Sequence, residues 1–381
     1  MSINRLCMAN VGPVTRADIT FGDLTVLVGQ QATGKTLLLE ILKLIEDTGY
    51  VHAELTKHGF DWGGRRNDFL SVFLGEGMQT VWTRESSVSL DGKRVDFDSY
   101  LRKGNRSREN HVFFIPAQRV LTLANGWPRP FQAYGPDDPF VVRDFSERFR
   151  VLMSQELSRA GAVFPKSNRL KSEYRDLLKR HVFGEFQLRV DTHGAQKRLV
   201  LQREDEESTI PFMAWSAGQR EFVPLLLGLY WLIPPAKIST RDRLKWVVIE
   251  EIEMGLHPSA ISSVLLLVLE LMVRGYRVCL STHSPHVLDV VWAMSALKSH
   301  GANPEWLLEI FECRKTPQTR DVAKSVLAKT SRVYFFDRQT GETRDISKLN
   351  PDAEAESEAD WGGLTGFSGR VADIVARTAG R

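Results

Sequence analysis

Apolar and polar residues alternate over short runs in the first third of the chain, around one segment with helical spacing. Turn residues such as Gly12-Pro13 and Gly22-Asp23 separate the apolar runs. In chain order the pattern predicts two or three strands within residues 3–28, a helix over 35–47 that closes near Gly49, and an antiparallel β region over 69–97.

The middle of the chain changes from strand periodicity to helical periodicity. A strand of the buried type, His111–Ile115, precedes a long loop over 123–140 that is rich in Gly, Pro and Asp. Two amphipathic helices and a hairpin-like stretch are then predicted, over 141–159, 170–183 and 186–203. We expect this part of the chain to form an inserted helical lobe.

The last third alternates helix and strand, which favours an α/β fold with a mixed sheet. The predicted elements are a helix over 218–231, a strand over 246–249, a helix over 259–274, a strand over 277–281, helical residues after 286, a strand over 333–337 and a short helix over 367–376. Residues 351–360 contain five acids among Ala and Ser, and predict a mobile linker or loop.

Composition limits the class of protein without fixing its function. The 381 residues are 43% hydrophobic and 25% charged, which is ordinary for a globular protein with a sizeable core. The net charge of +3 neither indicates nor excludes a nucleic-acid-binding surface. Three cysteines indicate a reducing compartment. No secretory pattern opens the chain, and the most apolar run, Ile261–Val273, is too short to span a bilayer, so we expect a cytoplasmic protein without a membrane segment.

The clearest chemistry lies between the third predicted strand and the first helix. The stretch reads Gly29-Gln30-Gln31-Ala32-Thr33-Gly34-Lys35-Thr36 and follows the spacing G-x-x-x-x-G-K-[ST]. The glycines let backbone N–H groups turn inward towards phosphate oxygens. Lys35 can reach the β- and γ-phosphates, and Thr36 can offer its hydroxyl to Mg²⁺. These eight residues therefore predict a nucleotide-binding loop rather than a turn with a surface lysine.

Two carboxylates follow the apolar strand Trp246–Ile249. Glu250 can hold Mg²⁺, directly or through water, and Glu251 can accept a proton from an attacking water molecule. Taken alone, two acids after a strand are more often a solvated strand end. The phosphate loop earlier in the chain favours the functional interpretation.

Further residues can belong to the same site. Ser216, Gly218 and Gln219 precede an apolar helix, and they either cap that helix or offer a second helix N-terminus to phosphate. His283 and Gln118 each follow an apolar strand, where ligands bind in parallel sheets. The spacing His283-x-x-His286 could indicate a metal site, but no further ligand cluster supports it.

In this order, the motifs make the chain resemble the ABC-type ATPases, and among them the group that contains SMC, RecF and OLD-family proteins. The matching stretches are 29–36 for Walker A, Trp215–Gln219 for the LSGGQ signature, Val247–Glu251 for Walker B, Glu253–Pro258 for E-x-x-L-H-P, His283 for the switch histidine and Gln118 for the Q-loop glutamine. The departures are Glu250, where Asp is commoner, Gln31, where Asn is frequent, and Trp and Ala within the signature.

The resemblance implies a P-loop NTPase of the ABC type: an α/β head with a mixed sheet, an antiparallel β subdomain and an inserted helical lobe. It implies ATP and Mg²⁺ as cofactors. The expected catalytic residues are Glu251, His283 and Gln118, and the expected metal-binding residues are Thr36, Glu250 and Gln118. The residues expected to bind ATP are 29–36, Ser216, Gly218 and Gln219. The expected units are 1–120, an N-terminal ATPase lobe; 121–210, the inserted lobe; 211–345, a C-terminal ATPase lobe; and 346–381, an acidic tail with a short helix.

Two functions remain open on this resemblance. The spacing between Lys35 and Ser216 leaves no room for long coiled-coil arms, and no convincing acidic Toprim pattern follows His283. A compact ATPase of this kind suits a head-to-tail dimer that closes around ATP and controls a separately encoded effector, as in bacterial phage defence.

The alternative is a DNA-repair or chromosome ATPase that binds duplex DNA directly. It requires one basic face formed by Arg65, Arg66, Arg106, Arg108, Lys166, Arg169 and Lys171. A transporter ATPase is less expected, because the Glu253–Pro258 pattern favours the SMC-like branch.

Overall fold

The structure is a computed structural model that describes residues 3–102, 107–157, 161–194, 196–234, 240–241, 243–350, 353, 358 and 360–379. Its strands are β1 (Arg5–Val11), β2 (Val14–Thr20), β3 (Leu24–Gly29), β4 (Trp82–Leu90), β5 (Lys93–Arg94), β6 (Val112–Ile115), β7 (Leu123–Ala124), β8 (Trp127–Pro128), β9 (Gly161–Phe164), β10 (Phe186–His193), β11 (Gln196–Arg203), β12 (Thr209–Pro211), β13 (Trp246–Ile249), β14 (Arg277–Thr282), β15 (Ser331–Phe336) and β16 (Thr343–Asp345). Its α-helices are α1 (Lys35–Lys57), α2 (Arg66–Leu74), α3 (Phe97–Leu101), α4 (Phe140–Gln155), α5 (Ser172–Leu178), α6 (Ala217–Leu232), α7 (Pro258–Val273), α8 (Pro285–Ser299), α9 (Glu305–Ile310), α10 (Pro317–Leu327) and α11 (Gly366–Ala379).

A six-stranded mixed sheet forms the centre of the molecule, in the order β16-β15-β3-β14-β13-β6. Each neighbouring pair from β15 to β6 is parallel, and only β16 runs antiparallel. The register pairs Ile249 with Ile115 and Leu280, and Thr282 with Val28. Four strands therefore end at one edge of the sheet. They are the strands that precede the phosphate loop, the two acids, His283 and Gln118.

Both faces of this sheet are covered, which is why its strands are nearly continuous apolar runs. Along β3, Val26 and Val28 contribute to one buried core, and Leu27 contributes to the other. Along β13, Ile249 contributes to the first of these cores and Trp246 contributes to the second. The sheet is thus the middle layer, and neither of its faces is free to carry a binding site.

A second, antiparallel sheet covers one side of α1, in the order β2-β1-β4-β5. Its residues Leu6 and Ile19 share a core with Leu38 of α1 and Leu27 of the central sheet. The predicted opening strands and the predicted turn at Asp91-Gly92 are both present. The antiparallel β subdomain expected from the sequence is therefore confirmed in these parts.

The first half of the region 69–97 was predicted wrongly as β structure. Residues Arg66–Leu74 form α2, and its buried side chains are Phe69, Leu70, Phe73 and Leu74. This spacing places all four on one face of a helix. The strand prediction relied on Phe69 and Val72 and missed that stripe.

The first helix is also longer than predicted. The helical backbone is interrupted at Asp47 (φ −120°, ψ 22°), close to the predicted end, but α1 then continues to Lys57. The Asp47 carboxylate accepts hydrogen bonds from the backbone N–H of His111 (2.7 Å) and Val112 (3.0 Å). Because these bonds tie the helix to β6, Asp47 produces a kink rather than a terminus.

The inserted segment contains the two predicted helices and the predicted hairpin, as α4, α5 and β10–β11. It also contains a four-stranded antiparallel sheet in the order β12-β11-β10-β9, so the lobe is mixed rather than purely helical. Phe145 and Leu188 of this segment share one core with Val247 of the central sheet. The insertion therefore packs directly onto the ATPase sheet, and the division of the chain at residues 121 and 210 stays a prediction.

The last third follows the predicted alternation of helices and strands, from α6 through β13, α7 and β14 to α8. The acidic stretch 351–360 lies largely outside the described residues. Within the described ranges, no helix combines the length and the apolar character needed to cross a membrane.

We expect Lys43→Ala to lower the free energy of unfolding by about 3–5 kcal/mol, because it leaves a buried charge without its partner. Lys43 is fully buried, and its Nζ lies 2.8 Å from Asp47 Oδ2 and 2.7 Å from the Val112 carbonyl oxygen. Urea unfolding measures the change. The control is Lys57→Ala, since that side chain is 58% exposed beside Glu54 and should change the free energy by less than about 1 kcal/mol. Equal effects in the two variants would contradict the buried-pair argument.

Candidate functional site

The loop between β3 and α1 is tightly curled because three of its residues adopt left-handed backbone angles. These are Gly29 (φ 142°), Ala32 (φ 60°) and Gly34 (φ 93°). A Cβ atom at Gly34 would lie 2.4 Å from Val14 Cγ2, and one at Gly29 would lie 2.5 Å from the carbonyl oxygen of Phe336. Only glycine fits at these two positions, so the loop conformation is fixed by its neighbours as well as by its own sequence.

Lys35 begins α1 and is buried, and among the described residues its ammonium donates hydrogen bonds only to neutral oxygens of the loop. Nζ donates to the carbonyl oxygens of Gly29 (2.8 Å) and Gln30 (2.7 Å), and to Thr33 Oγ1 (3.4 Å). Burial lowers the pKa of Lys35 to about 8, while the acids after β13 oppose this change. A buried cation at a helix N-terminus without a hydrogen-bonded anion fits an anionic ligand such as a phosphate group.

The other predicted loop residues lie around this lysine. Gln30, Gln31, Ala32 and Thr36 are exposed, and Thr33 is buried with its hydroxyl donating to the Gln30 carbonyl oxygen (2.8 Å). All eight residues predicted to bind nucleotide therefore form one continuous loop and helix start.

Glu250 is fully buried directly after β13. Its Oε2 accepts a hydrogen bond from the Ala117 backbone N–H (3.2 Å). Its other oxygen, Oε1, is buried and has no hydrogen-bond partner among the described residues. Burial raises the pKa of Glu250 to about 7, and the nearby Thr36 hydroxyl and the Ala117 N–H oppose that shift. An unpaired buried carboxylate oxygen beside a threonine hydroxyl fits a divalent cation that prefers oxygen ligands.

Glu251 points from the same strand end but remains partly open to solvent, since 31% of its side chain is exposed. It has a left-handed backbone (φ 43°), and its N–H donates to Ser281 Oγ (3.2 Å). Its Oε1 lies 3.7 Å from His283 Nε2. Burial, followed by the nearby Lys35 charge, lowers the pKa of His283, which favours the neutral imidazole. The pair can therefore bind and orient a small polar molecule between β13 and β14.

The role of Glu253 was not predicted individually, although its position was included in the Glu253–Pro258 stretch. Its carboxylate accepts hydrogen bonds from Thr282 Oγ1 (2.9 Å) and from the backbone N–H of His283. These bonds fix the end of β14 and therefore the position of the histidine ring. The sequence signal for this role was the position of Glu253, an acid two residues after the pair of acids that ends the strand.

Arg119 was also missed, although it is the residue after Gln118. Its side chain is fully buried, and it donates to the carbonyl oxygens of Glu250 (2.9 Å) and Glu251 (3.0 Å). Gln118 itself is exposed at the end of β6, and its side chain makes no hydrogen bond with another described residue. The structure thus places Gln118 at the predicted edge and places a buried cation behind the two acids.

The signature-like residues lie at the N-terminus of α6. Ser216 Oγ accepts a hydrogen bond from Gln219 N (3.2 Å), and Gln219 Oε1 accepts one from Ser216 N (3.1 Å), which is a capping box. A Cβ atom at Gly218 would lie 2.7 Å from the Gly255 carbonyl oxygen, so α6 approaches the segment after the acids closely. Within the described parts of the chain, no hydrogen bond joins residues 216–219 to residues 29–36.

The basic face required for direct DNA binding lacks at least one of its seven expected members. Arg169 is 5% exposed and pairs with Glu156, and Lys171 pairs with Glu270. Arg65 and Arg66 are engaged by Asp68 and Asp98 on a different part of the molecule. Arg106 lies outside the described residues. The hypothesis that these seven residues form one surface is therefore wrong for at least Arg169, because its guanidinium is buried.

The solved structures similar to this chain include two SMC heads and a bacterial ABC transporter cassette. The SmcHead bound to the C-winged helix domain of ScpA has a TM-score of 0.40 at 11% identity, covering 74% of this chain and 89% of that chain. A dimeric bacterial ABC transporter cassette, MJ0796, has a TM-score of 0.37 at 11% identity, with coverages of 89% and 97%. An SMC head domain from Thermotoga maritima has a TM-score of 0.31 at 13% identity, with coverages of 76% and 92%. No curated protein matches the sequence.

A family model gives the stronger result. The model described as "AAA domain, putative AbiEii toxin, Type IV TA system" matches residues 84–289. The matched range contains Gln118, Ser216, Glu250, Glu251 and His283, and the phosphate loop precedes it. The order of these motifs on one mixed sheet is that of a P-loop NTPase with an ABC-type head. Because the match extends over more than half of the chain, the protein belongs to this AAA domain family of ATPases.

Proposed function

We propose that this protein binds and hydrolyses ATP with Mg²⁺, that two copies enclose the nucleotide head to tail, and that the resulting switch controls a separately encoded partner. The observation that carries the proposal is the convergence at one sheet edge of Lys35, Thr36 and the two acids Glu250 and Glu251. The Thr36 hydroxyl and the Glu250 carboxylate are close enough for the hydroxyl to oppose the rise in the carboxyl's pKa, and the charges of the two acids oppose the fall in the pKa of Lys35. In the proposed site, a cation for phosphate and an oxygen site for a metal would therefore lie side by side.

Each residue at this edge would have a distinct task in binding. The loop residues 29–36 would hold the phosphates through backbone N–H groups and the Lys35 ammonium. Thr36 and Glu250 would hold Mg²⁺, and we expect the exposed Gln118 side chain to approach the same ion. Bound Mg²⁺ would neutralise charge that develops on the phosphates. Among the described residues no cluster of three or more His, Cys, Asp or Glu is arranged to hold a metal, so the nucleotide itself would supply further ligands.

The hydrolytic step would use the partly exposed pair beside this site. Glu251 would accept the proton of the attacking water, since its side chain is open to solvent whereas Glu250 is buried. His283, 3.7 Å from the Glu251 carboxylate, would orient that water or the γ-phosphate. Glu253 supports this arrangement by fixing the backbone of His283.

The arrangement of α6 supports a site shared between two copies. Its N-terminus begins at Ser216 with an ordered cap, and a helix of 16 residues offers a positive end to an anion. Residues 216–219 make no hydrogen bond to the phosphate loop of their own chain within the described ranges. We therefore expect Ser216, Gly218 and Gln219 to contact the ATP that is held by a second copy.

The family description supports a role in defence, since it refers to a putative toxin of a type IV TA system. In such a setting, an ATP-dependent dimer would transmit its state to a separately encoded effector protein in the cytoplasm. Direct binding of duplex DNA is the weaker alternative, because the basic face on which it depended includes the buried Arg169.

Lys35→Ala should abolish the stabilisation that ATP gives to the folded protein, because in the proposed site the buried ammonium would be the central phosphate contact. For the wild type, ATP at one hundred times its Kd should add about 2.7 kcal/mol to the free energy of unfolding. Thermal unfolding with and without Mg-ATP measures the effect, and the exposed Lys57→Ala serves as the charge-matched control. An undiminished ATP-dependent shift in the Lys35 variant would place the phosphates elsewhere.

Glu251→Gln should leave ATP binding intact and reduce kcat by about 10²–10⁴-fold, because the amide keeps the shape of the side chain but cannot accept the proton. Phosphate release under saturating Mg-ATP measures kcat. Glu185→Gln is the control, since its side chain is 84% exposed and lies in the inserted lobe. Turnover of the Glu251 variant at the wild-type rate would remove Glu251 as the general base.

Mixing two inactive variants should restore ATPase activity if the site is shared between copies. Lys35→Ala and Ser216→Arg each damage both sites of their own homodimer. In a mixed dimer one composite site carries both changes, and the other combines intact Lys35 with intact Ser216. We expect a maximum of activity near equal proportions after subunit exchange, provided that one site turns over alone. Wild-type activity in either single variant, or hydrolysis by a strictly monomeric protein, would contradict the shared site.

A further inference from the structure

We infer that Arg119 is a positioning residue for hydrolysis, which holds the two acids after β13 in place and connects them to the signature-like helix α6. The inference rests on the proposed ATPase site, in which Glu251 is the general base. No sequence motif identified Arg119, so its role follows from its contacts, its burial and its charge.

The Arg119 guanidinium is fully buried and bonds to the backbone carbonyl groups on both sides of Glu251. Nη1 lies 2.9 Å from the Glu250 carbonyl oxygen, and Nη2 lies 3.0 Å from the Glu251 carbonyl oxygen. A planar guanidinium can hold two neighbouring carbonyl groups at once, whereas an ammonium has no fixed fork of donors. The side chain therefore fixes the relative orientation of two consecutive peptide groups.

The backbone of Glu251 is held from two directions. Its N–H donates to Ser281 Oγ of β14 (3.2 Å), and its carbonyl oxygen accepts from Arg119, which follows β6. Between these two contacts Glu251 has a φ angle of 43°, which lies in the left-handed backbone region that residues other than glycine rarely adopt. Holding this unusual angle directs the Glu251 carboxylate towards His283 rather than along the strand.

The same arginine reaches α6. Its Nε lies 3.3 Å from the carbonyl oxygen of Glu221 and 3.8 Å from the Glu221 carboxylate. Glu221 lies one turn after Gly218, whose Cα approaches the Gly255 backbone so closely that a side chain would not fit. A shift of α6 would therefore change the contacts of Arg119 and, through them, the position of Glu251. In the proposed dimer, this links the helix that serves one nucleotide to the acids that act on the other.

A purely structural buried arginine elsewhere in the chain provides the matched comparison. Arg143 of α4 is 1% exposed, and it donates to the carbonyl oxygens of Asp138 (3.0 Å) and Gly135 (2.7 Å). Both arginines thus donate to backbone carbonyl oxygens in the interior, Arg119 to four and Arg143 to two, and burial lowers the pKa of both. Only Arg119 is attached to the acids of the candidate site.

The test compares Arg119→Lys with Arg143→Lys, each measured for thermal unfolding, for Mg-ATP binding and for steady-state kcat and KM. A lysine keeps the charge and most of the volume but loses the fork. We expect kcat of Arg119→Lys to fall by at least about tenfold, since small misplacements of a catalytic group cost about that much or more. Its KM and its ATP affinity should stay within a factor of about three, because Arg119 lies behind the acids and not at the phosphate loop.

The outcomes separate positioning from stability. Arg143→Lys should lose stability to a similar degree and keep kcat at the wild-type value. An Arg119→Lys protein with wild-type kcat, a parallel loss of kcat in the Arg143 variant, or a loss of ATP binding together with kcat would each overturn the inference. A wild-type protein without ATPase activity would contradict the proposed function itself, whereas an active wild type with an equally active Arg119 variant contradicts only the role of Arg119.

Arg119→Ala is the second variant, and it removes the guanidinium and leaves space for a small one. It should reduce kcat further than Arg119→Lys does, and added methylguanidinium should restore part of that kcat. Equal restoration by methylammonium, which has the charge but not the fork of donors, would overturn the inference.

Discussion

The main constraint on this structure is the burial of opposite charges at the carboxyl edge of one parallel sheet. Lys35 and Arg119 are withdrawn from water, and so is Glu250, while Glu251 and Glu253 lie next to them. Such groups are costly to bury unless each has hydrogen-bond partners and a compensating charge nearby. The ends of β3, β6, β13 and β14 therefore have to meet in a fixed arrangement, because only together do they compensate these charges.

This requirement explains local features that otherwise look unrelated. Glu251 has a left-handed backbone, and its two peptide groups bond to Ser281, to Arg119 and to the backbone N–H of Met254. Gly218 has no side chain because α6 must approach the segment that follows the acids, where the Gly255 carbonyl oxygen lies in its way. The left-handed backbone of Glu251 and the close contact at Gly218 both occur where α6, β6 and β13 meet at the same charged edge. A change in the position of α6 would be transmitted to the acids at this edge.

Local pattern was sufficient for the elements whose side chains face one uniform environment. The strand Trp246–Ile249 and the loop from Gly29 to Thr36 could be located from the sequence, since an apolar run buried on both faces and a glycine-bounded turn are recognisable without neighbours. Sequence patterns failed where a distant contact decided the outcome. Asp47 looked like a helix end, but its carboxylate bonds to the backbone of His111 and Val112, and α1 continues beyond it.

The sequence by itself determined the identity and order of the chemical groups: the phosphate loop, the acids Glu250 and Glu251, His283 and the cap at Ser216. Their spacing follows from which residues end each strand, and the chain encodes that locally. Only the tertiary structure decided that Arg119 supports the acids and that Arg169 is buried rather than available to DNA. The physical reason is that an arginine has no positional signature of its own, since its role depends on which carbonyl and carboxylate oxygens the fold brings within hydrogen-bond distance.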